Sequence, residues 1–258
     1  MLLPARKRAQ RRTVVHDLPA QHKLLTTLAF VLLVVATPAG SWAAFGLYGL
    51  LVLAALALAR ISPVTAARRG LVEVPFLVFA ALMPFVTAGP TTTVAGLTLS
   101  LPGLIAGGTL ACKATLGVFA AIVLSATTTG PELVGALERL RLPGTLVAII
   151  GFMIRYASVL IDDVSRMKDA REARGASGNG LAMLRAVAGS VGSLFVRTYE
   201  RGERVARAMS ARGYTGTMPQ IGTPAGATLR QALAAAAWPG AALVICLATW
   251  AGPLGAGG

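Results

Sequence analysis

Two identical triplets of residues carry the clearest chemistry that the sequence offers. Each places an arginine between an alanine and a glycine, at the end of a charged stretch that favours a helix. The triplets are Ala173, Arg174 and Gly175, and Ala211, Arg212 and Gly213. A planar guanidinium on a helix tip can bind a carboxylate through two parallel hydrogen bonds, which a lysine does less well. Plain helix capping is the alternative, because glycine ends helices and a basic residue there complements the helix dipole.

Other residues with reactive or metal-binding side chains are sparse. His16 and His22 flank Asp17, but so few ligands beside a basic terminus are more typical of a surface segment than of a metal site. Cys112 and Cys246 lie within apolar stretches, which argues against a disulfide framework or a zinc cluster. The glycine-rich phosphate loop with its lysine and hydroxyl residue is absent from the sequence. We therefore predict no catalytic residue, no metal site and no bound cofactor, ATP included.

The composition is that of a membrane protein. Apolar residues make up 55% of the 258 residues and charged residues only 13%, about half the usual share in soluble domains. A helix crosses the hydrocarbon core in about 20 apolar residues. Five candidate spans are Leu24–Ala36, Trp42–Ala59, Leu71–Ala88, Gly103–Ala126 and Ala232–Leu254. The predicted fold class is all-α: a polytopic membrane protein with about five transmembrane helices and a cytoplasmic helical domain.

Basic residues predict the orientation of these spans. Six precede Leu24 and three lie in Arg60–Arg69, whereas Gly89–Pro102 has none. Loops rich in lysine and arginine stay in the cytoplasm, so we expect a multi-pass protein of the bacterial inner membrane with a cytoplasmic N-terminus. The basic N-terminus resembles a signal peptide, but the polar stretch Val14–Lys23 separates its charges from the apolar run. We therefore expect the segment to be retained.

A block rich in charge, Arg139–Arg230, interrupts the apolar pattern. It contains the apolar stretch Leu142–Ile154, whose 13 residues are too few to cross. A crossing there would also place the arginine-rich block outside, against the charge rule. We therefore expect this stretch to lie in the membrane interface. The predicted division is a basic segment over residues 1–23, a membrane domain over 24–126, cytoplasmic coupling helices over 127–228 and a final span over 229–258.

Within this block, apolar residues recur at helical spacing on two segments, each forming one face of a helix. The predicted stripes are Met153, Ala157, Leu160, Val164 and Met167, and Phe195, Tyr199, Gly202, Ala206 and Met209. Opposite charges four residues apart are close enough to pair on a helix surface. The predicted pairs are Asp162 with Arg166, Lys168 with Glu172, Glu200 with Arg204, and Glu203 with Arg207.

Four residues inside the predicted spans are unusual. Lys113 lies in mid-span, where a charge is costly, and we expect it to contact a partner subunit or a backbone carbonyl. Glu73 lies near the predicted cytoplasmic end of its span, which places it too far away in depth to pair with Lys113. Gly103 and Gly107 are four residues apart, a spacing that favours close helix packing.

Several segments together resemble one family. They are His16–Pro19, Ala126–Thr129, Leu140–Pro143, Arg166–Gly175 and Arg197–Gly216. The paired Ala-Arg-Gly helix ends resemble those of the transmembrane T components of energy-coupling-factor transporters. The longest of these segments is similar to the CbiQ branch, which serves cobalt and nickel. The resemblance extends from His16 to about Gly216.

This resemblance implies a coupling role without catalysis. Two ATP-binding subunits would each receive one helix tip in a surface groove, with Arg174 and Arg212 as the contacts and the flanking alanines and glycines allowing close approach. The membrane part would hold a separate substrate-binding S component within the lipid bilayer. The chain would thus couple ATP hydrolysis by its partners to uptake of cobalt or nickel.

Three other functions remain to be weighed. A T component for biotin or another vitamin would carry much the same sequence, because this subunit contacts little substrate. An intramembrane enzyme would need paired polar groups at membrane depth, where Lys113 stands alone. A nucleic-acid binder would account for the net charge of +14, but the basic residues follow membrane topology and we predict no nucleic-acid partner.

Overall fold

The computed structural model describes residues 18–94, 97–175, 181–216 and 229–252. These residues are overwhelmingly helical, which confirms the predicted all-α membrane fold. The chain divides into two compact units, here called the membrane unit (Met1–Ala136 with Ala225–Gly258) and the helical unit (Leu137–Pro224).

The membrane unit is built from apolar helices joined by short connections. They are α1 (Ala20–Ala36), α2 (Trp42–Leu58), α3 (Pro63–Gly70), a 3-10 turn (Leu71–Glu73), α4 (Val74–Val86), α5 (Leu101–Thr127) and α9 (Leu229–Trp250). The short α6 (Gly130–Arg139) follows α5. At its centre, Phe30 and Tyr48 are fully buried with their rings edge to face at 5.9 Å. The Tyr48 hydroxyl lies 3.1 Å from Thr37 Oγ1, which gives this polar group a partner inside the apolar core.

A two-stranded antiparallel hairpin connects α4 to α5, where an uncharged loop was expected. Strands β1 (Thr91–Val94) and β2 (Leu97–Ser100) pair with Thr91 opposite Ser100 and Val94 opposite Leu97. Threonine and valine are β-branched and favour extended backbone. Both strands lie in the segment that connects α4 to α5.

Helix α4 packs tightly against α5 through two glycines, as their spacing predicted. A Cβ atom added to Gly103 would lie 2.7 Å from Cα of Pro84, and one added to Gly107 would collide with the carbonyl oxygen of Ala80. Because the two helices run in opposite directions, the residues before Pro84 meet the residues after Gly103. This close approach leaves no room for any side chain at either glycine.

The helical segment that contains the third predicted span begins before Leu71. Helix α3, the 3-10 turn and α4 follow one another over Pro63–Val86, 24 residues that include a stretch apolar enough to cross a membrane. Arg68 and Arg69, which were assigned to a loop, lie in α3 instead. Arg68 is exposed and Arg69 partly buried, and long basic side chains can keep their charge in water while the helix continues.

Side-chain contacts fix the direction of the helices in the membrane unit. Lys23, near the start of α1, contacts the carbonyl of Thr127 at the end of α5. Val35, near the end of α1, contacts Lys113 in the middle of α5. Helices α1 and α5 are therefore antiparallel. The ring of Phe30 in α1 lies 5.6 Å from that of Trp238 in α9. Further along both helices, the Tyr48 hydroxyl contacts both Thr37, directly after α1, and the carbonyl of Ala242 in α9. Helix α9 therefore runs parallel to α1. Helix α5 therefore ends at the same end of the membrane unit where α9 begins.

Three described helical segments are long and apolar enough to cross a membrane. They are Pro63–Val86, Leu101–Thr127 and Gly144–Ala173. Helices α1 and α2 and the segment Ala235–Trp250 are apolar but shorter. The 17 residues of α1 measure about 25 Å at the helical rise of ~1.5 Å per residue. The apolar stretch that ends at Ile154 was expected to be too short to cross. That expectation was wrong, because the helix that contains it, Gly144–Ala173, is long and apolar enough to do so. Its location in the membrane interface stays a prediction.

Candidate functional site

Two long helices form the helical unit and carry both Ala-Arg-Gly triplets. They are α7 (Gly144–Ala173) and α8 (Leu181–Ala211). Polar contacts join them: Arg171 Nη1 donates a 2.8 Å hydrogen bond to Ser190 Oγ, and Arg201 lies 3.5 Å from Asp163. Each helix ends on the alanine of its triplet, at the residue that the sequence predicted.

The glycine of each triplet is required by the backbone. Gly175 has a φ of +76° and Gly213 a φ of +82°, a region that side chains with a Cβ rarely adopt. After α8, the amide of Tyr214 donates to the Met209 carbonyl at 3.1 Å and that of Gly213 to the Ser210 carbonyl at 3.0 Å. This pair of bonds is a Schellman motif, which satisfies carbonyls that the helix end leaves free. Capping therefore explains both glycines.

The hydrogen bonds that cap the two helix ends are between backbone groups and do not use the arginine side chains. Arg174 and Arg212 are both exposed, and neither forms an ion pair among the described residues. Their guanidinium groups therefore stand at helix ends with their donors available to another molecule. A Cβ placed on Gly175 or Gly213 would meet no atom of the described residues within 4 Å, so this part of the chain leaves the backbone beside each arginine open to close approach.

Three of the four predicted ion pairs on these helices are confirmed. They are Lys168 with Glu172 at 3.7 Å, Arg204 with Glu200 at 3.8 Å, and Arg207 with Glu203 at 3.8 Å. The pair of Asp162 with Arg166 is wrong, because Arg166 binds Asp163 at 2.6 Å instead. Asp163 also forms an ion pair with Arg201 of α8. The three confirmed pairs are at least half exposed, so each stabilises its helix by only a few tenths of a kcal/mol.

The predicted apolar stripes are only partly in contact. Leu160 from α7 and Gly202, Ala206 and Met209 from α8 line a shared groove of about 500 Å³. Phe195 and Tyr199, however, are 70% and 62% exposed and stack on each other at 6.4 Å. The polar residues Thr198 and Arg201 are the ones that line the groove beside them. Arg201 also pairs with Asp163 of α7, and the spacing of apolar residues alone did not indicate this contact between the two helices.

Lys113 and Glu73 lie at nearly the same depth, contrary to expectation. Thr115 Oγ1 donates to Glu73 Oε1 at 2.6 Å, and Thr115 is two residues from Lys113 along α5, which is about 3 Å of helical rise. Lys113 and Glu73 do not pair, because Glu73 contacts α5 on a different side from the one on which Lys113 lies. Lys113 Nζ donates to the carbonyl of Val35 at 2.8 Å, which confirms one of the two expected contacts. Val35 lies in the last turn of α1, where carbonyls lack a helical partner.

Lys23 has a structural role that the sequence alone did not indicate. It was counted among the basic residues that set orientation, yet it is 7% exposed and its Nζ donates to the carbonyl of Thr127 at 3.1 Å. In the sequence, Lys23 directly precedes the apolar run that starts at Leu24, and this position was a signal for its burial. Lys23 therefore connects the start of α1 to the end of α5.

Comparison with known proteins decides the family. The sequence pattern of CbiQ, described as cobalt transport protein, matches residues 11–221. The chain belongs to the CbiQ family. This confirms the resemblance inferred from the helix ends and identifies the chain as a non-catalytic membrane transport subunit.

Relatives of this CbiQ-family chain share about a quarter of its residues over most of its length. The energy-coupling factor transporter transmembrane protein EcfT of Listeria innocua is 27% identical, covering 78% of this chain and 81% of its own. The cobalt transport protein CbiQ of Rhodobacter capsulatus is 26% identical, covering 80% and 82%. A putative fused cobalt transport protein, CbiMQ of Methanocorpusculum labreanum, is 28% identical over 76% of this chain and 34% of its own.

Metal ligands are scarce in this CbiQ-family chain. Among the described residues no three His, Cys, Asp or Glu side chains gather into a cluster that could hold a metal ion. His16 and Asp17, which were weighed as possible ligands, lie outside the described residues. Cys112 is half-buried and Cys246 buried, and each is a free thiol.

Proposed function

We propose that this CbiQ-family chain is the transmembrane coupling subunit of an energy-coupling-factor importer. It links ATP hydrolysis by two partner ATPases to uptake of cobalt, or nickel, through a separate substrate-binding membrane subunit. One observation carries the proposal: two exposed arginines, Arg174 and Arg212, stand at glycine-ended helix tips without an ion-pair partner in the described chain.

The geometry of the tips suits insertion into a groove of another protein. Alanine precedes each arginine and glycine follows it, so little side-chain bulk surrounds the guanidinium. Arginine binds a carboxylate through a planar fork that a mobile ammonium cannot match. Two separate tips fit two ATPase subunits, and the name of the Listeria innocua relative, a transmembrane protein of an energy-coupling factor transporter, supports this assignment.

The proposed topology follows from the helix directions. We infer that the N-terminus is cytoplasmic and that the protein resides in the bacterial inner membrane. Helix α5 ends and α9 begins at the same end of the membrane unit, so the chain between them must cross the membrane an even number of times. The arginine-rich α8 is unsuited to crossing, which supports a non-crossing α7 despite its apolar first half.

Reporter fusions test this topology. A fusion after Ala176 should report the cytoplasm and a fusion at Gly258 the periplasm, because an odd number of spans separates the N-terminus from Gly258. A fusion after Ala88, between the third and fourth spans, serves as a periplasmic control. A periplasmic signal from the fusion after Ala176 would show that α7 crosses the membrane, and a cytoplasmic signal from the fusion at Gly258 would show that the number of spans is wrong.

Metal binding and uptake together test the cargo assignment. Purified alone, the chain should bind neither cobalt nor nickel in calorimetry, because a selective site needs several imidazole, thiolate or carboxylate ligands in a fixed arrangement. With its ATPases and substrate-binding subunit, it should support ATP-dependent cobalt uptake into vesicles. Replacing both histidines (His16→Ala with His22→Ala) should leave that uptake nearly unchanged.

Two outcomes would contradict this division of roles. Tight, stoichiometric cobalt binding by the chain alone, abolished by the histidine changes, would place the metal site here. Uptake of biotin rather than cobalt by the full complex would assign the chain to a vitamin importer instead.

A further inference from the structure

A recessed basic groove lies between α7 and α8, on the side of the first helix tip. Its volume is about 520 Å³, and four arginines line it together with two serines. These residues are Arg166, Arg171, Arg174, Arg197, Ser190 and Ser193. Asp163 is the single acidic residue of its lining, so the groove has a strong excess of positive charge.

Most of this positive charge is uncompensated within the described chain. The two carboxylate oxygens of Asp163 are occupied by Arg166 at 2.6 Å and by Arg201 at 3.5 Å. Arg171, Arg174 and Arg197 form no ion pair among the described residues, although Arg197 is close enough to Asp163 to help lower the pKa of that carboxyl group. The Nε of Arg171 is buried without a hydrogen-bond partner, while its Nη1 donates to Ser190 Oγ at 2.8 Å. A buried guanidinium donor without an acceptor is costly unless a ligand supplies one.

The chemistry of this lining matches a phosphate group. Arginine forks and hydroxyl groups bind phosphate oxygens through charge-assisted hydrogen bonds, and arginine does so in bidentate fashion. A second, smaller cleft of about 70 Å³ adjoins the basic groove and shares Met167, Arg171 and Ser190 with it. The rest of this cleft is apolar: Val164, Val187, Val191 and Leu194. The adjoining surfaces therefore suit a ligand with an anionic head and a hydrocarbon tail.

We propose that this groove binds the headgroup of an anionic phospholipid, with the start of an acyl chain in the adjoining apolar cleft. The phosphate accepts hydrogen bonds from Arg171 and Arg197, and Ser193 is placed to contribute its hydroxyl. A free phosphate or a nucleotide would use the basic groove and leave the apolar cleft empty, so the cleft favours the lipid. Arg174 also lines this groove, but the phosphate is assigned to Arg171, Arg197 and Ser193, so the lipid site does not depend on the proposed ATPase contact of the helix tip.

Native mass spectrometry of the full-length protein tests the proposal. The protein is released from nanodiscs of equal parts phosphatidylglycerol and phosphatidylcholine, and the retained lipid is counted. Wild type should retain one phosphatidylglycerol, and Arg171→Gln with Arg197→Gln should lower that retention about tenfold, since each arginine supplies at least one charge-assisted hydrogen bond. Arg171→Lys with Arg197→Lys should retain most of it, because lysine also binds phosphate as a point charge. The lysine variant also keeps the result interpretable if the glutamine variant folds poorly.

A matched control and a competition distinguish this lipid site from diffuse charge attraction and from a free-phosphate site. Arg204→Gln with Arg207→Gln removes the same charge from the exposed face of α8 and should leave retention unchanged. Excess glycerol 3-phosphate, which has the headgroup chemistry without acyl chains, should not displace the lipid. Equal loss in the control variant would show diffuse charge attraction, and displacement by glycerol 3-phosphate would show a free-phosphate site. Either result would overturn the proposal.

Discussion

Reversing the charge on both helix tips, by Arg174→Glu with Arg212→Glu, is expected to abolish ATP-dependent uptake while leaving the protein in the membrane. Each arginine is proposed to pair with a carboxylate in an ATPase groove. Breaking a buried pair from one side costs about 3 to 5 kcal/mol, which corresponds to a loss of affinity of roughly a hundredfold or more at each tip. Either single change should weaken association, and the double change should be worse. Pull-down of the ATPases and uptake into vesicles measure the two effects.

A matched control uses the same two helices. Lys168→Glu with Arg207→Glu makes the same change in charge near each tip, but both residues form exposed pairs within their own helix. Such pairs contribute little, so this variant should keep its ATPases and its uptake. Normal uptake in the tip variant would leave only the capping role. Equal loss in the control would mean that overall charge, rather than the tips, holds the complex together.

Adding one methyl group at Gly107 is expected to destabilise the membrane unit, although alanine is the better helix former. The new Cβ would collide with the backbone carbonyl of Ala80 and lie 3.3 Å from Met83 Cβ. Overpacking of this kind typically costs about 1 to 3 kcal/mol, against a gain in helix propensity of about 1 kcal/mol. Because backbone cannot rotate away as a side chain can, α4 must move off α5. The Gly107→Ala variant should therefore melt at a lower temperature in detergent, and a Gly107→Leu variant should fail to fold.

The same helix supplies the control for this prediction. Gly117 also lies in α5, but a Cβ added there meets no atom within 4 Å. Gly117→Ala should be neutral or slightly stabilising, since only the gain in propensity applies. Identical melting temperatures for the two alanine variants would show that α4 and α5 do not approach as closely as the structure has them.

Features that depend on neighbouring residues along the chain were predictable from sequence. The helix ends at Ala173 and Ala211 followed from glycine, whose backbone freedom decides a C-cap locally. The close approach at Gly103 followed from its four-residue spacing to a second glycine, and three ion pairs followed from the same spacing of opposite charges. The helix ends, the ion pairs and the glycine spacing are properties of a single helix, so periodicity was sufficient to find them; which helix approaches Gly103 was not predicted.

Features set by contacts between helices were not predictable in the same way. The sequence placed Glu73 near the end of a span because Arg68 and Arg69 were assigned to a loop, whereas both arginines lie in helix α3. It placed Phe195 and Tyr199 on the same apolar face as Gly202, Ala206 and Met209, whereas Thr198 and Arg201 line the groove beside those three residues. The pairing of Arg201 with Asp163 required knowing which residues of two separate helices meet. Periodicity contains no such information.

The lysines of α1 and α5 have a mechanical consequence for how this protein can move. Lys23 on α1 binds a carbonyl at the C-terminal end of α5, and Lys113 on α5 binds a carbonyl at the C-terminal end of α1. Each helix thus places a cation on the negative pole of the other, in a head-to-tail exchange that favours one register. A slip of either helix by a single turn, about 5.4 Å, would strand both amines and both carbonyls in an apolar setting. These two contacts therefore favour movement of α1 and α5 as a pair, and a sliding rearrangement would be less costly at other helix contacts.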